Sequence, residues 1–210
     1  MTIPVHLAAS WVVADLLGRN RRERTALALS GVVSDLDGVG YIIDRLTGTT
    51  DFYGAWHHVY GHGLVAATVM AVLCAFVCDR SLRIALCSLL ISHLHFVLDL
   101  LSGKGPDDHI WGIQYWFPFS DAETRWDGQW YLHDWKNAVV GVCLIICLLV
   151  LAIWRKRSPL EMLSPRLDRW ALGCFRSVFG SGQGTEGNRE GRESNEYGAR
   201  RGIERGRRGN

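Results

Sequence analysis

Long apolar runs separated by short polar links fill the first three quarters of the chain. Three of them, Gly63 to Cys78, Ile84 to Leu101 and Ala138 to Trp154, sit at or near the short end of the ~17–25 residues that cross a bilayer. Any one could be a buried core helix, but three in so small a chain would need a large soluble partner to cover them. Thr25 to Ile43 is a fourth candidate. Asp35 and Asp37 interrupt it and must face protein or a wet cavity, because carboxylates are costly in hydrocarbon. Ile3 to Leu17 is too short to cross comfortably and reads as a helix tucked against the bundle or lying partway in the membrane. It lacks the basic start and small-residue cleavage site of a removable signal peptide. The pattern predicts an all-α integral membrane bundle of about four transmembrane helices plus a short N-terminal helix.

Beyond Trp154 the pattern changes. RLDRWALGCFRSVF puts Leu167, Trp170, Ala171, Cys174, Phe175 and Val178 on one helical stripe, with the arginines mostly off it. This predicts a basic amphipathic interfacial helix within 158–180. From 181 to 210 the composition falls to Gly, Arg, Glu, Ser and Asn, too little apolar surface to fold, so a disordered tail is expected. Residues 1–157 form the membrane-embedded domain. Charge divides in the same way, with 10 basic and 14 acidic side chains in residues 1–154 against 13 and 7 in the remainder.

The basic links Arg19 to Arg24, Arg80 with Arg83, and Arg155 to Arg157 all fall on one face when crossings are counted. Lys and Arg are retained on the cytoplasmic side, so that face and the C-terminal tail are expected in the cytoplasm. The loops 44–62 and 102–137 then lie on the other face. Nine aromatics between Trp111 and Trp135 suit the headgroup layer, and the second loop is expected to lie along the membrane. The arginine–glycine tail reads as a solvated terminus, with the lipid bilayer as partner and no specific nucleic acid. Cys74, Cys78, Cys87, Cys143, Cys147 and Cys174 lack a C-x-x-C spacing and read as small buried packers.

All eight histidines precede Asp134, and most stand with aspartates at the edges of the apolar runs. Three clusters and the early His6 carry the chemistry. In SDLDG, Asp35 and Asp37 point to different faces of a regular helix. Either the backbone is irregular there, as Gly38 and Gly40 permit, or one carboxylate binds an ion while the other orients a ligand. In HHVYGH, His58 and His62 are four apart, whereas His57 and His62 can meet at an ion if His57 lies in the turn before the helix. In SHLHFVLDLLS, His95 and Asp99 are one helical turn apart and share a face, while His93 is off it by roughly 200 degrees at ~100 degrees per residue. Neutral imidazole with carboxylate suits a divalent metal, zinc above all. By crossing count the clusters converge near the non-cytoplasmic interface.

In order and local spacing these elements resemble the YdjM type of membrane-bound metal-dependent hydrolase. His6, Asp35 with Asp37, His57 with His62, and His95, Asp99 and Ser102 answer the successive family elements, and Gly112 to Ser120 follows. The chain departs from the pattern at Ser34 (Pro), Gly38 (His) and His58 (Arg), and carries an insertion from Gly105 to Trp111 that brings Asp107, Asp108 and His109. The resemblance implies an inner-membrane hydrolase with His6, Asp35, Asp37, His57, His62, His95 and Asp99 around the metal. The expected direct ligands are His57, His62, His95 and one of Asp35 or Asp37, with Asp99 and the other aspartate as base or orienter; Asp37 and Asp99 are the catalytic candidates. A site at the interface favours a substrate with one greasy end, a lipid ester or phosphodiester. The alternative is a non-enzymatic membrane scaffold whose cluster holds a structural ion or hydrogen-bonds between helices.

Overall fold

The computed structural model describes residues 1–105 and 108–179. The described residues form helices and turns without a strand: α1 Ile3–Leu17, α2 Arg21–Ser30, a 3-10 segment Val33–Val39, α3 Gly40–Thr47, α4 Phe52–Trp56, α5 Leu64–Val77, α6 Leu82–Ser102, α7 Trp135–Arg155, a 3-10 turn Pro159–Met162 and α8 Pro165–Phe179. Their starts follow from local chemistry. Asn20, Ser81 and Asp134 each accept a backbone N–H from the first turn of α2, α6 and α7, satisfying donors that a helix leaves unpaired.

Helices α6 and α7, 21 residues each, are long and apolar enough to cross a membrane. A third crossing is formed if α2 and the Val33–Thr47 stretch, bent by 45°, count as one broken span. Gly63 to Cys78, one of the three stronger candidates, is not of spanning length, so two or three spans stand against the four expected: α5 has 14 residues, about 21 Å at 1.5 Å per residue against a core of about 30 Å. It is cut short at both ends. His57 to His62 are drawn into turns ahead of Gly63, and Asp79 and Arg80 adopt left-handed backbone (φ 59 and 58) to turn the chain tightly into α6.

Helix α1 packs against α2, α6 and α7 and is central, with Trp11 and Ala14 buried. Trp11, Ala14, Leu27, Ala28, Cys74, Ile84 and Ile91 form the core between α1, α2, α5 and α6. Small residues allow this closeness, as is usual where lipid supplies no hydrophobic drive between helices. A Cβ on Gly31 would lie 2.0 Å from Ser10 Oγ. Cys74 and Cys78 are buried packers, but Cys174 on α8 is exposed, and so are Cys143 and Cys147, because α7 meets the bundle mainly along α1 and leaves most of its surface outward.

The polar groups separate to the two ends of the bundle. At one end Arg157 pairs with the buried Asp15, Arg24 with the buried Glu161, and Arg83 donates to Leu17 O and Glu23, so the predicted basic links do share a face. The amphipathic α8 follows there, its Asp168 accepting from Ser158 N at 2.6 Å, with Leu167 and Trp170 exposed. At the other end lie the start of α1, the 3-10 segment, the turns before α5 and the end of α6. The expectation of a disordered 181–210 tail, and Asp107 of the insertion, fall outside the described residues.

Candidate metal centre

The 3-10 segment sets the division of labour between the two aspartates. Its winding sends Asp35 and Asp37 in different directions, so the two carboxylates do not converge as an irregular backbone would have allowed, and each takes its own partner atoms. Asp37 Oδ1 accepts from His57 Nδ1 at 2.9 Å, and its Oδ2 from His62 Nδ1 at 2.9 Å, His58 N at 3.2 Å and Gly61 N at 3.3 Å. Four N–H groups saturate this carboxylate. Gly61 is needed for the approach, since a Cβ there would lie 2.3 Å from Ser34 O and 3.0 Å from Asp37 Oδ2.

With Nδ1 committed to Asp37, His62 turns Nε2 inward, where three other groups meet it. His95 Nε2 lies 3.1 Å away, Asp99 Oδ2 3.4 Å and Asp35 Oδ1 3.8 Å. His95 Nε2 is in turn 3.1 Å from Asp99 Oδ2 and 3.5 Å from Asp35 Oδ1. Asp99 and His95 owe their shared direction to the one-turn spacing on α6. His6, from the first turn of α1, places Nε2 2.9 Å from Asp99 Oδ1, and its ring lies 4.0 Å from that of His95; the Met1 amine also reaches Asp99. His6, His62, His95 and Asp99 are buried, and Asp35 Oδ2, Asp99 Oδ2, His6 Nδ1 and His95 Nδ1 are buried without a hydrogen-bond partner.

Burial opposes charge on His62, yet the hydrogen bonds and attraction of Asp37 and Asp99 prevail and raise its pKa to about 9. Burial, reinforced by His62 and His57, holds His58 well below the usual imidazole range, so it stays neutral.

The other sequence candidates lie outside this convergence. His57 is held by Asp37 and stacks on Tyr53 (4.6 Å between centroids) at the rim. His93 bonds Leu89 O and Tyr115 hydroxyl, strapping the 102–137 loop to α6; His109 and His133 are exposed, and Asp108 pairs with Lys104 and Tyr131. Two residues of that loop escaped the sequence reading. Trp111 stands beside His57 and His58 with centroids at 6.2 and 5.8 Å, and the buried Gln129 fixes it by bonding Trp111 N at 3.1 Å and Trp111 O at 2.7 Å. Only their place in an aromatic-rich loop hinted at this.

No curated protein and no solved structure matches the chain. A family model does, over residues 1–165, which takes in the whole bundle and every residue of the convergence. By that match the chain belongs to the YdjM inner membrane protein family.

Proposed function

We propose that this protein is a membrane-bound, zinc-dependent hydrolase of membrane-associated esters or phosphodiesters. One observation carries the metal. A tetrahedral ion with bonds of about 2.0–2.1 Å places its donors about 3.3 Å apart, and the five separations among His62 Nε2, His95 Nε2, Asp35 Oδ1 and Asp99 Oδ2 given above run from 3.1 to 3.8 Å. Two facing imidazole nitrogens at 3.1 Å can share at most one proton between them, whereas both can donate lone pairs to a cation. Asp35, His95 and Asp99 are the common core of the site, with His6 grouped beside them and His62 Nε2 within 3.8 Å of all three. Asp37 holds the His62 tautomer, the supporting contact that metal-binding imidazoles require.

A dication there supplies Lewis acidity and a water acidified from ~15.7 toward ~7. Asp37, saturated by N–H donors, is not free to take a proton. Asp35 is, with Oδ2 buried and unpartnered. The site lies beneath an aromatic loop, with Trp111 beside His57 and His58, at the end of the bundle opposite the arginines, which supports an amphiphilic substrate and a cytoplasmic placement of the basic end with the C-terminal tail.

Purified protein assayed for bound zinc and for hydrolysis of phospholipid and of a generic phosphodiester tests this, with Asp99→Ala beside it. Zinc and turnover both lost in the variant are expected. Zinc without turnover on any substrate leaves the scaffold with a structural ion, and absence of zinc leaves a hydrogen-bonded bundle; either ends the hydrolase reading.

A further inference from the structure

Resting on the metal reading above, we infer that the centre holds two ions that share Asp99, with His58 as a ligand of the second. The donors exceed what one tetrahedral ion can use. His6, Asp35, His95 and Asp99 bring one atom each within 4.8 Å of one another, and so do His58, His62 and Asp99. The two sets have Asp99 alone in common, and it reaches both: Oδ1 meets His6 at 2.9 Å, while Oδ2 lies between the sets, 3.1 Å from His95 and 3.4 Å from His62. A carboxylate that stands between two donor sets is suited to bridge ions about 3.5–4 Å apart, the spacing of two-metal hydrolytic centres. A first ion takes His6, Asp35, His95 and Asp99. A second takes His58, His62 and Asp99, so that His62 passes from the single-ion set to this ion, leaving three protein ligands with a position open, as catalytic sites keep.

His58 itself argues for this role. It is 7% exposed, its Nδ1 is buried without a partner, and its ring lies 4.6 Å from that of His62. Its backbone is left-handed (φ 66), an unfavourable conformation for a residue with a Cβ. That conformation is maintained from both sides, His58 N donating to Asp37 Oδ2 and His58 O accepting from Gln114 N. A strained residue with a buried, unpartnered ring nitrogen among ligand-type groups is not explained by the turn itself, since glycine would fit the turn better.

The test is metal content of the detergent-purified full chain, stripped with chelator and reloaded with zinc, together with electron paramagnetic resonance of the manganese-loaded form. Two zinc ions per chain and an exchange-coupled manganese pair are expected in the natural protein. His58→Gly should hold one ion and give an uncoupled spectrum. Because glycine relieves the left-handed backbone, this variant should keep the helicity and the melting temperature of the metal-free natural protein, which separates ligand loss from unfolding. A loss of melting temperature beyond that of the natural chain would overturn the assignment, since His58 would then be a packing residue. So would one ion in the natural protein, which leaves the single-ion hydrolase standing, or two ions retained in His58→Gly. No ion in either protein removes this inference and the metal reading together.

Discussion

Asp37→Asn separates a carboxylate that orients ligands from one that binds the ion. Asp37 accepts four N–H groups, one on Oδ1 and three on Oδ2. An asparagine can turn its carbonyl oxygen to the three donors on the Oδ2 side, and its NH2 then faces His57 Nδ1, which must switch tautomer. Three bonds survive but change from charge-assisted, about 1.5–3 kcal/mol each, to neutral, about 0.5–1.5. The difference of about 1 kcal/mol per bond gives a loss of about 3 kcal/mol in the support of this corner. Part of it falls on folding and part on the hold over His62, so zinc affinity should drop by about 10–100-fold, as for other contacts that support a ligand. Zinc dissociation constants measured by competition with a chromophoric chelator give the number, and Asp99→Asn, which removes a direct donor, should cost clearly more. The reasoning fails if Asp37→Asn binds no zinc at saturating concentrations, which would make Asp37 a ligand, or if its affinity equals that of the natural protein.

Gly61→Ala forces a Cβ to 2.3 Å from Ser34 O, and overpacking of this kind costs about 1–3 kcal/mol; a lower melting temperature together with weaker zinc binding is expected, and a variant as stable as the parent would refute the packing argument. At the opposite end, Arg157→Ala leaves Asp15 buried with, among the described residues, Arg155 as its remaining cationic partner at 4.0 Å, and breaking a buried pair costs about 3–5 kcal/mol. Thermal unfolding should shift while zinc content stays unchanged, since the two ends do not touch. Because the His62 pKa is raised to about 9, the metal-free protein carries a proton on the nitrogen that an ion needs. Zinc must displace it, so apparent affinity should rise by about tenfold per pH unit from neutrality toward 9. The matching contribution to metal-free stability is complete below the ordinary value of 6.5 and is lost as pH rises through about 9. Titrations showing a pH-independent affinity would contradict this assignment of the proton.

What the sequence discloses of this site is governed by the range of the interaction. His95 and Asp99 could be paired from spacing alone because one helical turn fixes their common face. The helices α6 and α7 were equally plain from their apolar length, and a D-x-D inside an apolar run marked polar groups that had to find partners. Which partner each aspartate takes was not legible. A 3-10 turn decides it, and that turn depends on Gly61 lying against Ser34. The shortness of α5 escaped for the same reason: hydropathy counts Gly63 to Cys78 as one run and does not see the turns and left-handed residues that bound it. The latch of Asp15 with Arg157 and the clamp of Gln129 on Trp111 join residues 142 and 18 apart, beyond any periodicity.

His58 shows most clearly how a right neighbourhood can follow from a wrong reason. Four residues before His62, it would share a helical face with it, yet it stands in a left-handed turn outside any helix. The two rings still lie 4.6 Å apart, because Asp37 collects the N–H groups of His57, His58, Gly61 and His62 around one carboxylate and folds the segment about it. The proximity is therefore produced by an anion that the sequence places some twenty residues earlier. Removal of the whole acceptor, as in Asp37→Ala, should move all three histidines together, which a helical arrangement of the same residues would not.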